Sequence, residues 1–215
     1  MNYHLAREEM VELLEEKGIK DQLVLAAMRE IKRHLFVPAN LRARAYENNA
    51  LSIGHGQTIS QPYIVAQMTE LLQLTGEESV LEIGTGTGYQ TFVLAKLAKR
   101  IYTIERVKAL ALEAEMRFQE NAIANVVQKL GDGSLGWERF APFDRIIVTA
   151  GAPEIPTRLV DQLAEGGRMV LPTGPRRVQD LKVVIKQEGQ AYASSHGGCV
   201  FVPLIGSGGW EGDEE

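Results

Sequence analysis

Three alternating glycines give the first chemical signal in this sequence. Gly84, Gly86 and Gly88 stand in "LEIGTGTGYQ", between an apolar run typical of a strand and a segment with helical spacing. Glycine at such a turn permits positive φ and lets a ligand approach the backbone closely, and open α/β sheets bind ligands beyond the carboxyl ends of their strands. The turn therefore predicts a nucleotide-like ligand, although a tight strand-to-helix connection also favours glycine.

Acidic residues beside the turn narrow the ligand class. The spacing is G-x-G-x-G followed by Tyr89, so the third glycine of a dinucleotide fingerprint is missing. Glu82 is poorly placed beside a pyrophosphate and well suited to a cationic ligand; alternatively, it bonds only to loop amides and holds the turn. Glu105 ends the next predicted strand and can accept hydrogen bonds from both ribose hydroxyls, or it is a solvated acid favoured by the helix dipole.

A third acid follows the third predicted strand. Asp132, in "GDG", can bind an adenine amino group, or it forms a turn between Gly131 and Gly133. S-adenosyl-L-methionine carries a sulfonium and an ammonium group but no phosphate, so three acids at consecutive strand ends favour it over NAD. The sequence predicts this cofactor, with S-adenosyl-L-homocysteine as its product. The other predicted cofactor-binding residues are Ile83, Thr85, Arg106 and Thr149.

A polar segment, "SIGHGQTISQPY" (residues 52–63), lacks apolar periodicity and predicts a loop. Ser60 comes shortly before Pro62, which is typical of a helix start, so Ser60 is either an N-cap or a hydroxyl that faces the crevice. The two roles are compatible if the backbone begins the helix while the hydroxyl faces the crevice. The segment is interpreted as a substrate-binding lid that also starts a helix.

The elements around these residues predict an α/β fold. Two helices fill the first forty residues, separated by Gly18 as a C′ residue and Asp21 as an N-cap, and a third covers 62–74. Strand-like runs then alternate with helices, which indicates a parallel sheet covered on both faces. We expect a doubly wound, mostly parallel sheet of about seven strands with antiparallel C-terminal strands. The expected organisation, one structural domain overall, is an N-terminal helical annex (1–75), an α/β core (76–208) and a flexible acidic tail (209–215).

Composition limits the function classes. The chain has 215 residues and a formal net charge of −5, which gives no electrostatic reason to expect nucleic-acid binding. Its single cysteine, Cys199, excludes an internal disulfide and a multi-cysteine metal site, and the histidines lack metal-ligand spacing, so no metal is expected. The charged start and the absence of an apolar run of roughly 18 residues predict a cytoplasmic protein with no membrane partner.

Six motifs together resemble the bacterial type of the protein-L-isoaspartate O-methyltransferase family. They are "LSIGHGQTISQPYIVAQMTELL", "VLEIGTGTGYQT", "GDG", "PFDRIIVTAG", "EGGRMVLPTG" and "VFVPLIG". Many methyltransferases share the glycine turn, whereas "GHGQTIS" followed by Pro62 and paired with "FVPL" is specific. The resemblance implies a Rossmann-like S-adenosylmethionine-dependent methyltransferase fold. It also implies methyl transfer to the α-carboxylate of L-isoaspartyl residues in damaged proteins and peptides, which starts repair through a succinimide.

The resemblance assigns roles to the polar segment. It makes Ser60 the active-site residue, and Thr58 is a second hydroxyl that can hold one oxygen of the carboxylate. Several members have Ala-Pro-His after the serine, where this chain has Gln-Pro-Tyr, so no histidine role transfers to Tyr63. The candidate substrate-binding residues are His55, Gln57, Ile59, Val202 and Pro203.

The chemistry agrees with this resemblance. An isoaspartyl α-carboxylate, with a pKa of roughly 3.5–4, is already an anionic nucleophile at pH 7 and needs no general base. The enzyme must instead align oxygen, methyl carbon and sulfur, which is worth about 7–11 kcal/mol in intramolecular analogies. Two alternatives stay open: a small-molecule carboxyl or hydroxyl methyltransferase, and a non-catalytic module that binds the cofactor. A monomer is expected, and the sequence leaves an oligomer open.

Overall fold

A computed structural model describes residues 2–211; Met1 and residues 212–215 lie outside the described residues. The helices are α1 Tyr3–Glu16, α2 Gln22–Glu30, α3 Pro62–Leu72, α4 Tyr89–Leu97, α5 Lys108–Glu120 and α6 Thr157–Asp161. The strands are β1 Leu51–Gly54, β2 Gln57–Ile59, β3 Ser79–Ile83, β4 Arg100–Glu105, β5 Val126–Leu130, β6 Phe143–Val148, β7 Leu163–Thr173, β8 Gln179–Gln187 and β9 Gln190–Cys199. Short 3-10 turns lie at Arg33–Phe36, Ala39–Arg44, Gly133–Leu135 and Glu138–Phe140.

Seven of these strands form one sheet in the order β5-β4-β3-β6-β7-β8-β9. The pairs from β5 to β7 are parallel, whereas β8 is antiparallel to both β7 and β9. The strand order reverses between β3 and β6, and such a reversal opens the crevice where doubly wound sheets bind ligands. The predicted doubly wound sheet with antiparallel C-terminal strands is confirmed.

Side chains of β3 alternate between the two faces of the sheet. Val80 belongs to the same hydrophobic cluster as Met68 of α3, whereas Leu81 packs with Leu159 of α6 on the opposite face. Full burial of one such aliphatic side chain contributes about 1.5–3 kcal/mol. Because a strand alternates its side chains, Glu82 points to the same face as Val80.

The N-terminal annex begins with the two helices that the sequence predicts. Asp21 caps α2 by accepting hydrogen bonds from the backbone N–H groups of Leu23 and Val24 at 2.9 and 3.2 Å. Gly18 follows the end of α1 with a φ of 101°, a conformation that favours glycine. Apolar residues of both helices share one hydrophobic cluster with Ile53 of β1 and with α5. The annex therefore holds the β1–β2 segment against the core.

Residues 51–59 differ from the predicted loop. They form an antiparallel hairpin in which Leu51 pairs with Ile59. His55 and Gly56 form its turn with φ values of 54° and 67°, the positive values of a type I′ turn. Inward and outward side chains do alternate along these strands. The strands have only four and three residues, so the alternation is too short to recognise in the sequence.

The start of the predicted flexible tail is ordered by the core. Trp210 donates its indole N–H to the carbonyl oxygen of Gly151 at 3.0 Å, and its backbone N–H bonds to Leu204. The amide of Ser207 donates to Asp132 at 2.8 Å. Residues 206–210, which include the first two residues of the predicted tail, are therefore held by the indole of the half-buried Trp210 and by the carboxylate of Asp132. The rest of the predicted tail, residues 212–215, lies outside the described residues.

None of the helices within residues 2–211 combines the length and apolar character that a membrane crossing requires. In the same range, no three His, Cys, Asp or Glu side chains are grouped as metal ligands. Cys199 is buried at the end of β9, and burial raises the pKa of its thiol to about 11. It is a packed strand residue, as the sequence predicts.

Candidate active site

The glycine turn between β3 and α4 leaves no room for a side chain at Gly84. Gly84 has a φ of 97°, and an added Cβ would overlap the hydroxyl of Thr149. That hydroxyl lies 3.0 Å from the carbonyl oxygen of Ile83 and 2.8 Å from that of Gly84. An added Cβ at Gly86 would lie 3.7 Å from Cδ1 of Ile53. The turn is therefore contacted by Thr149, which directly follows β6, and by Ile53 of the hairpin.

Glu105 holds the same turn from the end of β4. Its Oε2 accepts a hydrogen bond from the amide of Gly86 at 2.8 Å, and its Oε1 accepts one from the amide of Val107 at 2.8 Å. Only 5% of the residue is exposed. Each carboxylate oxygen keeps a second lone pair for a ligand donor. The alternative of a solvated acid is therefore wrong, because Glu105 is buried and bonded to two backbone amides, whereas its contact with the ribose hydroxyls stays a prediction.

Asp132 forms the turn that the sequence offers as an alternative to ligand binding. It accepts hydrogen bonds from the amide and the hydroxyl of Ser134 at 2.9 and 2.6 Å, in addition to the bond from Ser207. Burial raises the pKa of Asp132, but these hydrogen bonds outweigh burial and lower the pKa below its ordinary value. The carboxylate is therefore anionic and already engaged within the protein.

Glu82 lies behind the glycine turn and is fully buried. Its Oε2 accepts hydrogen bonds from the hydroxyls of Thr91 and Thr103 at 2.6 and 2.7 Å, whereas Oε1 has no partner within the described residues. Burial raises the pKa of Glu82 to about 8 against the opposing effect of the two threonines. The loop amides proposed as its alternative partners are not bound, because Glu82 points toward α4 and β4.

Two adjoining cavities open beside the turn. The strand-end cavity lies against β3, β4 and the residues after β6 and β9, and the loop cavity lies between the hairpin and the start of α4. They share Thr58, Gly84, Gly86 and Thr149. A ligand in one cavity therefore lies next to a ligand in the other.

The predicted site residues divide among these cavities. The strand-end cavity is lined by Gln57, Ile83, Glu105, Arg106, Gly133, Val202 and Pro203 in addition to the shared residues. The loop cavity adds Ile59, Ser60 and Thr85. Neither cavity is lined by His55, Glu82, Gly88, Gly131 or Asp132. His55 is exposed at the hairpin turn.

Ser60 does not cap α3. The N-cap is Gln61, and no side chain of the cap residue bonds to the helix. The amide of Tyr63 is satisfied instead by Oδ1 of Asn48 at 3.0 Å, and Gln61 Nε2 donates to the carbonyl oxygen of Asn48 at 2.7 Å. The capping interpretation of Ser60 is therefore wrong, and the half-buried Ser60 lines the loop cavity.

Several residues around the cavities carry no recognisable signal in the sequence. Ile104, Leu110, Ala150, Leu204 and Ile205 line the strand-end cavity, and Val65, Thr87, Tyr89 and Gln90 line the loop cavity. Most of them are apolar residues that read as ordinary core. Asn48 is likewise unremarkable in "ENNALS", because its capping contact crosses from one segment to another.

Relatives share this fold over nearly the whole chain. The family model described as Protein-L-isoaspartate(D-aspartate) O-methyltransferase (PCMT) matches residues 5–209. A protein-L-isoaspartate O-methyltransferase of Dictyoglomus turgidum is 54% identical, with 97% of this chain and 95% of the relative covered. A solved protein-L-isoaspartate O-methyltransferase has a TM-score of 0.86 at 29% identity, with 94% of this chain and 67% of that chain covered.

A second solved structure adds a ligand. It comes from Plasmodium falciparum, carries the same enzyme description and is in complex with S-adenosyl-L-homocysteine. Its TM-score is 0.81 at 26% identity, with 93% of this chain and 98% of that chain covered. The family match and the full-length relatives lead to one assignment: this chain belongs to the protein-L-isoaspartate(D-aspartate) O-methyltransferase family.

Proposed function

We propose that this protein transfers a methyl group from S-adenosyl-L-methionine to the α-carboxylate of L-isoaspartyl residues in damaged proteins and peptides. The observation that carries this function is the junction of the two cavities in a chain of this family. The loop cavity presents the hydroxyl-bearing residues Ser60 and Thr58, and it shares Gly84, Gly86 and Thr149 with the strand-end cavity. An acceptor and a methyl donor can therefore meet at the glycine turn.

The lining of the strand-end cavity fits S-adenosyl-L-methionine. Two glycines let its walls pack closely, since an added Cβ at Gly84 or Gly133 would overlap Thr149 or Ile83, which line the same cavity. Glu105 is a buried carboxylate with lone pairs available for the ribose hydroxyls. When bound, the cofactor supplies an electrophilic methyl group on a sulfonium. Asp132 fixes the "GDG" turn. We also propose that its carboxylate accepts a hydrogen bond from the adenine amino group.

Ser60 and Thr58 are the proposed acceptor-binding hydroxyls. A hydroxyl that donates to one carboxylate oxygen orients the group and leaves the other oxygen free to attack. The site needs no general base, because the acceptor is ionised at neutral pH. Gln57, Ile59, Val202 and Pro203 are proposed to contact the peptide around the isoaspartyl residue, and His55 is proposed to contact it at the rim.

The hairpin is proposed to exclude water from the reaction. Carboxylate and sulfonium combine into a neutral ester and a thioether, so a dry site favours the loss of both charges. Ile53 and Ile59 of the hairpin are buried against the core. After release, the backbone amide nitrogen that follows the isoaspartyl residue attacks the ester carbonyl and expels methanol, which gives the succinimide. Hydrolysis of the succinimide returns a share of normal aspartate.

The localisation, oligomeric state and partners of the protein are also proposals. A cytoplasmic monomer that acts on isoaspartyl proteins and peptides, with no nucleic-acid or membrane partner, is consistent with the net charge of −5. We propose that the annex (1–75) carries the acceptor segment and that the core (76–208) binds the cofactor.

A paired-peptide assay tests the function. Two peptides of one sequence, with either aspartyl or L-isoaspartyl at a single position, are incubated with the purified protein and methyl-labelled cofactor. Base-labile label is expected only in the isoaspartyl peptide. Equal labelling of both peptides, or cofactor binding without transfer to either, would reject the proposed acceptor. Small-molecule carboxylates and alcohols in parallel test the alternative acceptors.

A further inference from the structure

Arg33 is a fully buried cation behind the loop cavity. Its Nε donates to the carbonyl oxygen of Ala45 at 2.8 Å, and its Nη2 donates to the carbonyl oxygen of Ser60 at 2.7 Å. The guanidinium carbon lies 4.8 Å from the centroid of the Tyr89 ring. Ser60 and Tyr89 both line the loop cavity, so the guanidinium lies directly behind the cavity wall.

The charge of Arg33 is not neutralised by the protein. Within residues 2–211, no carboxylate oxygen lies within 4.0 Å of the guanidinium, and Nη1 is buried without a hydrogen-bond partner. Burial lowers the pKa of Arg33, yet an arginine stays protonated in proteins. A buried, unpaired charge is costly to stability. A neutral donor could bind the carbonyl oxygens of Ala45 and Ser60 equally well. Hydrogen bonding alone therefore does not explain why this position holds a cation.

The distance from this charge to an acceptor is limited by the chain. The guanidinium bonds to the Ser60 carbonyl oxygen, which lies within about 4–5 Å of the hydroxyl of the same residue by covalent geometry. A carboxylate bound by that hydroxyl adds about 3 Å. The two charges are therefore at most about 12 Å apart, across a wall of buried side chains.

We propose that Arg33 is a specificity-determining residue, whose unpaired positive charge makes the loop cavity select an anionic acceptor over a neutral one. The inference rests on the proposed function and adds the source of its selectivity. The incoming α-carboxylate is the counter-charge that the protein lacks. At a separation of roughly 12 Å and an effective dielectric constant of about 20, one unit charge favours a carboxylate about tenfold.

A purely structural role is the competing explanation. Arg33 also fixes the backbone of Ser60, and loss of that contact would disturb the binding of any acceptor. A positional effect, however, weakens charged and neutral acceptors alike. The ratio of their affinities therefore separates the charge of Arg33 from its hydrogen bonds.

The experiment compares two peptides that differ at one group. One is an L-isoaspartyl peptide with a free α-carboxylate, and the other has an α-carboxamide there. Calorimetry at saturating S-adenosyl-L-homocysteine gives the dissociation constant of each peptide without turnover. Arg33→Gln keeps an amide donor but loses the charge, Arg33→Lys keeps the charge but loses the planar fork, and Asn48→Ala disturbs the α3 start without changing charge.

The expected result is a preference for the carboxylate that falls about tenfold in Arg33→Gln and stays near the wild-type value in Arg33→Lys and Asn48→Ala. An unchanged preference in Arg33→Gln would overturn the inference and leave a positional role. If Arg33→Gln does not fold, as judged by S-adenosyl-L-homocysteine binding, the uncharged Arg33→Met takes its place: a preference that falls about tenfold in it supports the inference, and an unchanged preference overturns it. A tenfold loss of preference in the charged Arg33→Lys would also overturn the inference. Failure of the wild-type protein to methylate the isoaspartyl peptide would instead reject the proposed function, and this inference with it.

Discussion

The glycine turn of the strand-end cavity is held by residues close to it in sequence, whereas the acceptor segment is held by residues far from it. Gly84, Gly86 and Glu105 lie on one β-α-β unit, and each bonds within it. Ser60, by contrast, is held by Arg33, and the helix start beside it is satisfied by Asn48. Local rules thus specify the glycine turn and its bond to Glu105 in the cofactor half of the cleft, and tertiary packing specifies the acceptor segment.

The first prediction concerns a substitution that disrupts the cofactor half of the cleft. Gly84→Ala is expected to weaken S-adenosyl-L-homocysteine binding about a hundredfold, because the new Cβ displaces the Thr149 hydroxyl from two carbonyl oxygens. Overpacking of this kind costs about 1–3 kcal/mol, and the positive φ adds about 1–2 kcal/mol. Calorimetric titration measures the effect.

Gly76→Ala is the matched control for this substitution. Gly76 has a φ of 101°, but an added Cβ would meet no atom within 4 Å. It should lower the free energy of unfolding by the backbone cost alone and leave cofactor affinity unchanged. Similar affinity losses in both variants would mean that backbone strain, and not the contact with Thr149, explains the requirement for glycine.

The second prediction addresses the acceptor half. Ser60→Ala is expected to lower turnover about 10- to 100-fold, the effect of losing one hydrogen bond to a charged group, with little change in cofactor affinity. Because Gln61 and not Ser60 is the N-cap, the free energy of unfolding should not show the ~1 kcal/mol loss of a capping substitution. Steady-state kinetics and urea unfolding measure the two quantities.

Ser52→Ala provides the comparison within the same hairpin. Ser52 is exposed and lines neither cavity, so the substitution removes a hydroxyl without removing a proposed acceptor contact. Its turnover should match the wild type. Full activity in Ser60→Ala would remove that residue from the proposed mechanism.

The same contrast explains what the sequence could predict. The turn at Gly84, the cap at Asp21 and the strands that alternate with helices depend on neighbours in the chain, and the structure has them where the sequence predicts them. The support of Ser60 by Arg33 crosses 27 residues, and the bond from Ser207 to Asp132 crosses 75. Contacts of this kind leave no periodicity or spacing. The capping alternative for Ser60 is therefore wrong, whereas the glycine turn was predictable.

The third prediction concerns the buried acid of the cofactor half. Burial raises the pKa of Glu82 to about 8 from an ordinary value of 4.5. Between these values the folded protein holds a proton that the unfolded chain has lost, so stability must fall as pH rises. One proton gives a slope of about −1.4 kcal/mol per pH unit. Glu82→Gln should remove this slope from unfolding curves measured between pH 5 and 8.

Glu78→Gln is the control for the sign of this pH dependence of stability. Burial raises the pKa of Glu78, but hydrogen bonds from Thr75 and Gly76 outweigh burial and lower the pKa below its ordinary value. Its contribution to stability is present above the unfolded pKa and is lost only as pH falls through the lowered value. The slope between pH 5 and 8 should therefore persist in Glu78→Gln. A wild-type protein without that slope would show that Glu82 is ionised.

The smallest expected effect lies where the C-terminal segment joins the cofactor half by a long-range contact. Trp210→Phe keeps an aromatic ring but loses the indole donor to Gly151, a loss of about 1 kcal/mol. The carbonyl oxygen of Gly151 still accepts from the Leu204 amide at 2.8 Å, so the cost is that of one bond and not of an unsatisfied group. Amide hydrogen exchange at Ser207 should rise about fivefold, because its bond to Asp132 depends on this segment. Trp137→Phe is the control, because Trp137 lies in a separate ring cluster with Tyr102, and it should leave the exchange at Ser207 unchanged. Equal exchange in the wild type, Trp210→Phe and Trp137→Phe would mean that the bond to Asp132 orders the segment without the indole.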